Sequence, residues 1–337
     1  MTPFEVKEAI KKLKDNKSSG EDKVYAEHIR LASNRLIPLI SICFTACFVH
    51  GYLPSSLLTV MLVPIIKNKP GNVNAIDNYR PVALSNIFSK ILEFIILDRI
   101  ECYMITNGNQ FGFKKKHGTD MCIYTLKESI NLYTSMKGCV FTCFLDASKA
   151  FDRVNHSLLF EKLAKRGVPV YILRILIYWY ENQRLCIRWG ETLSEYFKVT
   201  NGVRQGSVLS SYFFNVYLDD LSEILNELKI GCMVGALIIN HLLYADDLVL
   251  ISPSSRGLHT LLGVCEKYGL SNDIIFNANK SAVMCFNSKS HLKFTIPEFV
   301  LNNAAVPIVN NFKYLGHIER QKKKIFVQGN SLIQKLQ

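Results

Sequence analysis

No segment of the 337 residues reaches the roughly 18 uninterrupted apolar positions that a membrane-spanning helix needs. The apolar stretch 36–49 is short, carries Pro38 and ends at His50-Gly51, so no membrane contact is expected. The opening residues, Met1-Thr2-Pro3-Phe4-Glu5, lack the layout of a signal peptide. There is no internal repeat. The ten cysteines are scattered, and neither close pair, Cys43/Cys47 or Cys139/Cys143, has the second half of a zinc set. Buried thiols in a reducing compartment are expected rather than a disulfide framework. The eight histidines are equally dispersed and none is assigned a role. Acidic side chains are scarce beside basic ones: 28 Asp and Glu against 40 Lys and Arg, a net charge of +12. That excess favours a polyanionic partner, either nucleic acid or an anionic membrane surface, although an ordinary solvated surface can also carry it.

What is present is a chain built to fold. With 49% apolar and 20% charged residues it is globular rather than disordered, and its length allows one large or two modest domains. Its chemistry gathers at Leu242-Leu243-Tyr244-Ala245-Asp246-Asp247-Leu248-Val249-Leu250-Ile251, where two adjacent carboxylates lie between two apolar runs. The runs read as short strands with the Asp pair at the bend. Asp is a common turn residue, so a surface hairpin is one reading. The apolar flanks point instead to a buried hairpin, where carboxylates are costly unless something positive meets them. Phe141-Thr142-Cys143-Phe144-Leu145-Asp146 is a second apolar run ending in a carboxylate. If the strands are neighbours in one sheet, Asp146, Asp246 and Asp247 converge into an oxygen-only site suited to Mg²⁺. The alternative is three unrelated acids at strand ends.

At these residues the sequence resembles a known family. Phe144-Leu145-Asp146-Ala147-Ser148-Lys149-Ala150-Phe151-Asp152 and Tyr244-Ala245-Asp246-Asp247 are similar to the two catalytic motifs of reverse transcriptases, in the wording of the non-LTR (LINE-type) retrotransposon branch. Between them, Asn201-Gly202-Val203-Arg204-Gln205-Gly206-Ser207-Val208-Leu209-Ser210 resembles that family's nucleotide-pocket motif. Upstream, Asp77-Asn78-Tyr79-Arg80-Pro81 and Asn109-Gln110-Phe111-Gly112-Phe113 resemble its fingers motifs. The motifs keep the family's order from about Lys17 to Gly316. Two positions depart from it. Ser18-Ser19 stands where the family usually shows Ala-Pro, and Ser211 replaces a Pro often seen after Leu-Ser.

The resemblance implies an RNA-directed DNA polymerase, a nucleotidyltransferase that adds deoxynucleotides to a primer 3′-hydroxyl by two-metal phosphoryl transfer. It implies two Mg²⁺ ions, with Mn²⁺ as a possible substitute, held by Asp146, Asp246, Asp247 and the backbone carbonyl of Ala147. Lys280 is implied as a proton donor to pyrophosphate. Lys67, Arg80, Phe151, Arg204, Gln205 and Gly206 are implied as nucleotide-binding, with Phe151 as an aromatic gate against a ribose 2′-hydroxyl. Lys114, Lys115 and Lys116, together with Tyr314, Leu315 and Gly316 of the primer-grip hairpin, are implied to contact nucleic acid. Plain readings remain beside these: Lys67 as a solvated loop lysine, Phe151 as core, and the lysine run as a solvated face. Implied partners are an RNA template, a DNA primer and deoxynucleoside triphosphates, in an intracellular setting of nucleus, cytoplasm or both. The oligomeric state is not legible. The alternatives are a catalytically inactive or domesticated remnant that binds nucleic acid or a protein partner, and an unrelated Mg²⁺ phosphotransferase, which would not predict the fingers motifs.

The expected fold class is α+β: a right-hand polymerase fold with an antiparallel palm sheet, helices on one face of it, helical fingers, and a thumb truncated or absent. The fingers-like part is expected over residues 1–137, the palm over 138–318, and a basic C-terminal remnant over 319–337. Fingers and palm together make one domain of about 55–318. Neither an upstream endonuclease region nor a downstream zinc knuckle is legible. Apolar spacing predicts helices over 3–14, 24–50 with a break at Pro38, 86–103, 120–136, 155–165 capped by Asn155, and from Leu173 onward. A strand at 185–189 is expected to pair back with 196–200. A helix striped by Phe213, Tyr217, Leu221, Ile224 and Leu228 follows, with Asp219 and Asp220 as surface or structural acids, then a helix around 258–265.

Overall fold

The computed structural model describes residues 1–67, 70–287 and 296–320, and shows a mixed α+β chain. Most of the basic segment 319–337 lies outside the described residues. The chain forms two compact units: Met1–Thr106 with Lys149–Leu218, and Asn107–Ser148 with Asp219–Gln337.

In the first unit, helix Pro3–Lys11 opens on a capping box in which Thr2 and Glu5 satisfy each other's backbone N–H. Helices Ala26–Leu31 and Leu36–His50 follow. The break therefore falls at 32–35 and not at Pro38. Pro38 sits in the first turn of the second helix, where the N–H it lacks would have had no partner anyway. Helix Ile87–Ile100 is capped by Asn86, whose side chain accepts from the Ser89 N–H, and it buries Ile91, Leu92, Ile95 and Ile96. A four-stranded sheet runs in the order Tyr79–Ser85, Thr59–Ile66, Arg184–Trp189, Thr192–Leu193. Its second strand is antiparallel to the first and parallel to the third. The return strand expected at 196–200 is instead Thr192–Leu193, while Phe197 makes an isolated bridge to Leu185. Helices His156–Lys165, capped by Asn155, and Val170–Asn182 complete the unit with the first half of Ser210–Glu227.

The second unit is organised on an antiparallel sheet in the order Ala282–Asn287, Cys139–Asp146, Asp247–Ser252, His241–Tyr244. Alternate residues of one face, Val140, Phe144, Val249, Ile251, Met284 and Phe286, pack against Cys122, Ile123, Leu126 and Ile130 of helix Thr119–Ser135. Helix Ser255–Ser271 packs against the same central strands, bringing Cys265 to Cys143 of the other face. The expectation of helices on one face is thus corrected. Both faces are covered, which is why Val140 to Leu145 is apolar without alternation. On helix Ser210–Glu227, Ile224 is 40% exposed, so the predicted stripe is core at Phe213, Tyr217 and Leu221 but not there. Asp219 is buried and accepts from the Asn107 N–H at 2.7 Å, a structural acid.

Candidate active site

Three acids meet in the second unit. Strand Cys139–Asp146 pairs with Asp247–Ser252 in the register that sets Asp146 directly opposite Asp247. Strand His241–Tyr244 returns beside it with Tyr244 opposite Asp247, leaving Ala245-Asp246 as the two-residue tip. Ala245 takes the left-handed conformation there, φ +57°. A register slip of one residue would turn the acids to the other face. Asp247 reaches solvent, yet its carboxyl is pushed up to about 6, first by the low-dielectric walls of the sheet, then by the charges of Asp246 and Asp146.

The Asp146 end is held by the segment after Phe276. Asp146 donates its N–H to the Ser281 hydroxyl and accepts from the Asn277 N–H. Ala147 bridges Phe276. Lys280 is exposed and immediately precedes Ser281. Among the described residues, no three His, Cys, Asp or Glu side chains form a group placed to hold a metal ion between them. Mg²⁺ does not require one, since it takes one or two carboxylates and fills its other positions with water and phosphate oxygens. The hard-oxygen donors, and a crowding of negative charge that adds to burial in raising the Asp247 pKa, fit such a cation.

The other sequence candidates lie in two groups. In the first unit, Phe151 stacks on Phe214 with ring centroids 4.2 Å apart and planes 11° from parallel. Its carbonyl accepts from the Val203 N–H at 2.8 Å. Gly202 lies against Asp152 so closely that a Cβ would meet the Asp152 carbonyl oxygen at 2.9 Å, at φ +92°. Gln205 hydrogen-bonds the Asp152 carboxyl, which burial raises and Gln205, Lys149 and Lys67 lower. Gly206 is exposed. The Lys67 ammonium donates to the Asp77 carbonyl at 3.0 Å. The Arg80 backbone pairs with Ile65 in the sheet, while its side chain is exposed and its guanidinium makes no hydrogen bond or ion pair among the described residues. Tyr79 packs on Trp189. Arg204 departs from its expected role: its guanidinium is buried and turned inward.

In the second unit, Lys114 bends back to the Asn107 carbonyl, and burial lowers its pKa, so it does not share the outward face of Lys115 and Lys116. Strands Asn311–Tyr314 and His317–Arg320 form the expected hairpin, with Leu315-Gly316 at its turn. Tyr314 is a correction. It is 3% exposed, packs on Phe144 and meets the Cys122 thiol through its hydroxyl, so it belongs to the core rather than to a nucleic-acid surface.

A family model described as "Reverse transcriptase (RNA-dependent DNA polymerase)" matches residues 66–318. This chain belongs to the reverse transcriptase family. Its relatives are non-LTR retrotransposon proteins. It is 28% identical over 329 residues to the RNA-directed DNA polymerase from mobile element jockey of Drosophila funebris. It is 30% identical over 332 residues to the probable RNA-directed DNA polymerase from transposon X-element of Drosophila melanogaster. Each match covers 94% of this chain and 35% of the relative. To the Pol polyprotein from retrotransposable element R2 of Nasonia vitripennis it is 27% identical, covering 70% of this chain and 23% of the relative. The chain thus spans about a third of the length of the jockey and X-element relatives.

The reverse transcriptase sequence also holds supporting residues that motif reading passed over. Buried Gln110 accepts through Oε1 from the Ala245 N–H at 3.1 Å and the Gly112 N–H at 2.8 Å. Phe111 and Leu243 exchange backbone bonds with this segment, through Phe111 N–H to Leu243 and Leu243 N–H to Asn109. A Cβ on Gly112 would lie 2.3 Å from the Ala245 nitrogen. The Asn109–Phe113 motif therefore grips the tip that carries Asp246. A lone amide and glycine in a loop give no such signal in one sequence. Glu93, buried on helix Ile87–Ile100, was passed over as well.

Proposed function

We propose that this chain is the polymerase segment of a retrotransposon protein, an RNA-directed DNA polymerase that extends a primer 3′-hydroxyl with deoxynucleotides. The observation that carries the reading is the pairing of Asp146 opposite Asp247 with Asp246 at the adjoining tip, in a chain of this family. Asp146 and Asp246, with the Ala147 carbonyl, would hold two Mg²⁺ ions, or Mn²⁺ in their place, and Asp247 would contribute more weakly. When bound, such ions supply positive charge to the attacking and leaving oxygens of phosphoryl transfer.

The chain's own residues do the rest. The sheet register fixes the acids so that little reorganisation is needed. Phe151, braced flat on Phe214, would exclude a ribose 2′-hydroxyl by its bulk. Gln205 and the exposed backbone at Gly206 would meet the nucleotide, while Lys67 and Arg80 would meet the triphosphate as a point charge and a planar fork of donors. Lys280 would protonate the leaving pyrophosphate. Lys115, Lys116 and the Leu315-Gly316 turn would contact the nucleic-acid backbone. In family terms residues 1–137 are fingers-like and 138–318 the palm, in an intracellular protein. The two compact units cut the chain elsewhere.

The test is primer extension on an RNA template with Mg²⁺. Asp246→Ala should abolish extension while leaving RNA binding intact. Equal extension by wild type and Asp246→Ala would remove the assignment. A wild type that binds RNA and never extends would favour the inactive remnant.

A further inference from the structure

Glu93 has no exposed surface, and it lies among Ile91, Leu92, Ile95 and Ile96 on helix Ile87–Ile100. A carboxylate there is costly unless its oxygens are fully met. Three donors meet them, and all come from one short stretch. Arg204 Nη2 and the Ser207 hydroxyl donate to Oε1, and the Val208 N–H donates to Oε2. The Arg204 guanidinium is itself buried, 5.1 Å from the Trp179 ring centroid and 5.9 Å from that of Tyr180. Replacing a buried ion pair by apolar residues of similar size is often neutral or stabilising, so stability alone is a weak reason for this one. Three directional bonds do something an apolar contact cannot: they fix the position of a backbone.

The stretch they fix is the nucleotide-pocket motif. Its backbone ties elsewhere are Gly202 N–H to the Val154 carbonyl, Val203 N–H to the Phe151 carbonyl, and Ala83 N–H to the Gln205 carbonyl, and side chains add His156 at the Gly202 carbonyl and the Asp152 carboxyl at Gln205. Glu93 takes hold on both sides of Gln205-Gly206, at Arg204 before it and at Ser207 and Val208 after it. Between these anchors Gly206 stands exposed and Gln205 half-exposed. We infer that Glu93 is a positioning residue, which through Arg204, Ser207 and Val208 sets the placement of Gln205 and Gly206, and that Arg204 works as its anchor instead of touching nucleotide. The kinetic consequence rests on the polymerase reading; the clamp itself does not.

Two measurements test the inference on the full chain. The first is amide hydrogen exchange. Glu93→Leu/Arg204→Met replaces the pair by apolar side chains without stranding a charge, and Ser207→Ala removes a single bond. The double variant should speed exchange at Val208 at least tenfold, and Ser207→Ala at least threefold, with exchange in helix Ile87–Ile100 unchanged. Unchanged exchange at Val208 would overturn the clamp, as would uniformly faster exchange across the helix and loop. The second is steady-state primer extension. The double variant should raise KM for the deoxynucleotide at least tenfold, while kcat and KM for primer–template stay within threefold. Equal losses in all three constants, or an unchanged nucleotide KM, would overturn the positioning role. If wild type fails to extend any primer, the polymerase reading fails, and the Val208 exchange rate alone upholds or overturns the clamp.

Discussion

A single imidazole shows how far burial moves a charge in this chain. His241 has no exposed surface and is bonded to the Asn240 side-chain oxygen at 2.6 Å and the Ser222 hydroxyl at 2.9 Å. Burial pushes its pKa down to about 3. The unfolded chain takes up a proton on this ring below about pH 6.5, while the folded chain does not until about pH 3. Across that window the unfolded state binds more protons, so stability falls as pH falls, by at most about 1.4 kcal/mol per pH unit. Melting temperatures measured from pH 7 to pH 4 should therefore drop more steeply for wild type than for His241→Gln; parallel curves would remove the effect. Phe151 carries the second prediction at this scale. Its ring is already braced by Phe214, so Phe151→Ala opens space that no neighbouring side chain is freed to fill. Ribonucleotide incorporation should rise at least tenfold relative to deoxynucleotide incorporation, measured by competition in primer extension. An unchanged ratio would leave Phe151 as core. Single residues were legible in unequal degree. The acids stood out because carboxylates between apolar runs demand an explanation, whereas Tyr314 and Lys114 look like surface groups until packing places them.

At the scale of elements, the hairpin His241–Tyr244 and Asp247–Ser252 was readable because its runs are apolar on both sides of an Asp pair. What holds its tip was not readable, since Gln110 and Gly112 come from a segment over 130 residues away in the chain (245 − 112 = 133). The same limit hid the second covered face of the sheet. Periodicity reports that a strand is buried on both sides but not which helix does the burying. Pro38 misled for a local reason: a proline reads as a helix breaker, yet it is compatible with a helix's first turn. The tip supplies a prediction of its own. In Gly112→Ala the added methyl has backbone on its near side, and backbone cannot swing away as a side chain can. The hairpin tip or the loop must shift, at a cost of about 1–3 kcal/mol. Because Asp246 sits at that tip, extension should fall at least tenfold while thermal unfolding stays cooperative with a melting point a few degrees lower. Full extension activity with an unchanged melting point would show that the loop yields freely.

For the whole molecule the sequence order conceals the architecture. Each compact unit is assembled from two separated stretches, and one helix, Ser210–Glu227, passes from one unit to the other. Composition still carries information at this scale, because charge is additive along the chain however it folds. The excess of 12 positive charges is spread over 40 Lys and Arg against 28 acids, and the polymerase proposed above would hold a polyanion largely through its phosphates. Binding of that kind draws its free energy from counterions released by the nucleic acid, so it weakens as salt rises. For a single strand, contact with about six phosphates gives a slope of about −4 in log affinity against log salt. Between 50 and 200 mM monovalent salt that amounts to a loss of about two and a half decades. Fluorescence anisotropy with a labelled single-stranded RNA of mixed sequence should show this slope, and scrambling the sequence should leave it unchanged. An uncharged backbone analogue of the same base sequence should bind at least a hundredfold more weakly at the lower salt. A slope near zero, or equal binding of the uncharged analogue, would mean that the basic excess is ordinary solvated surface and that any nucleic-acid contact here is made by bases instead.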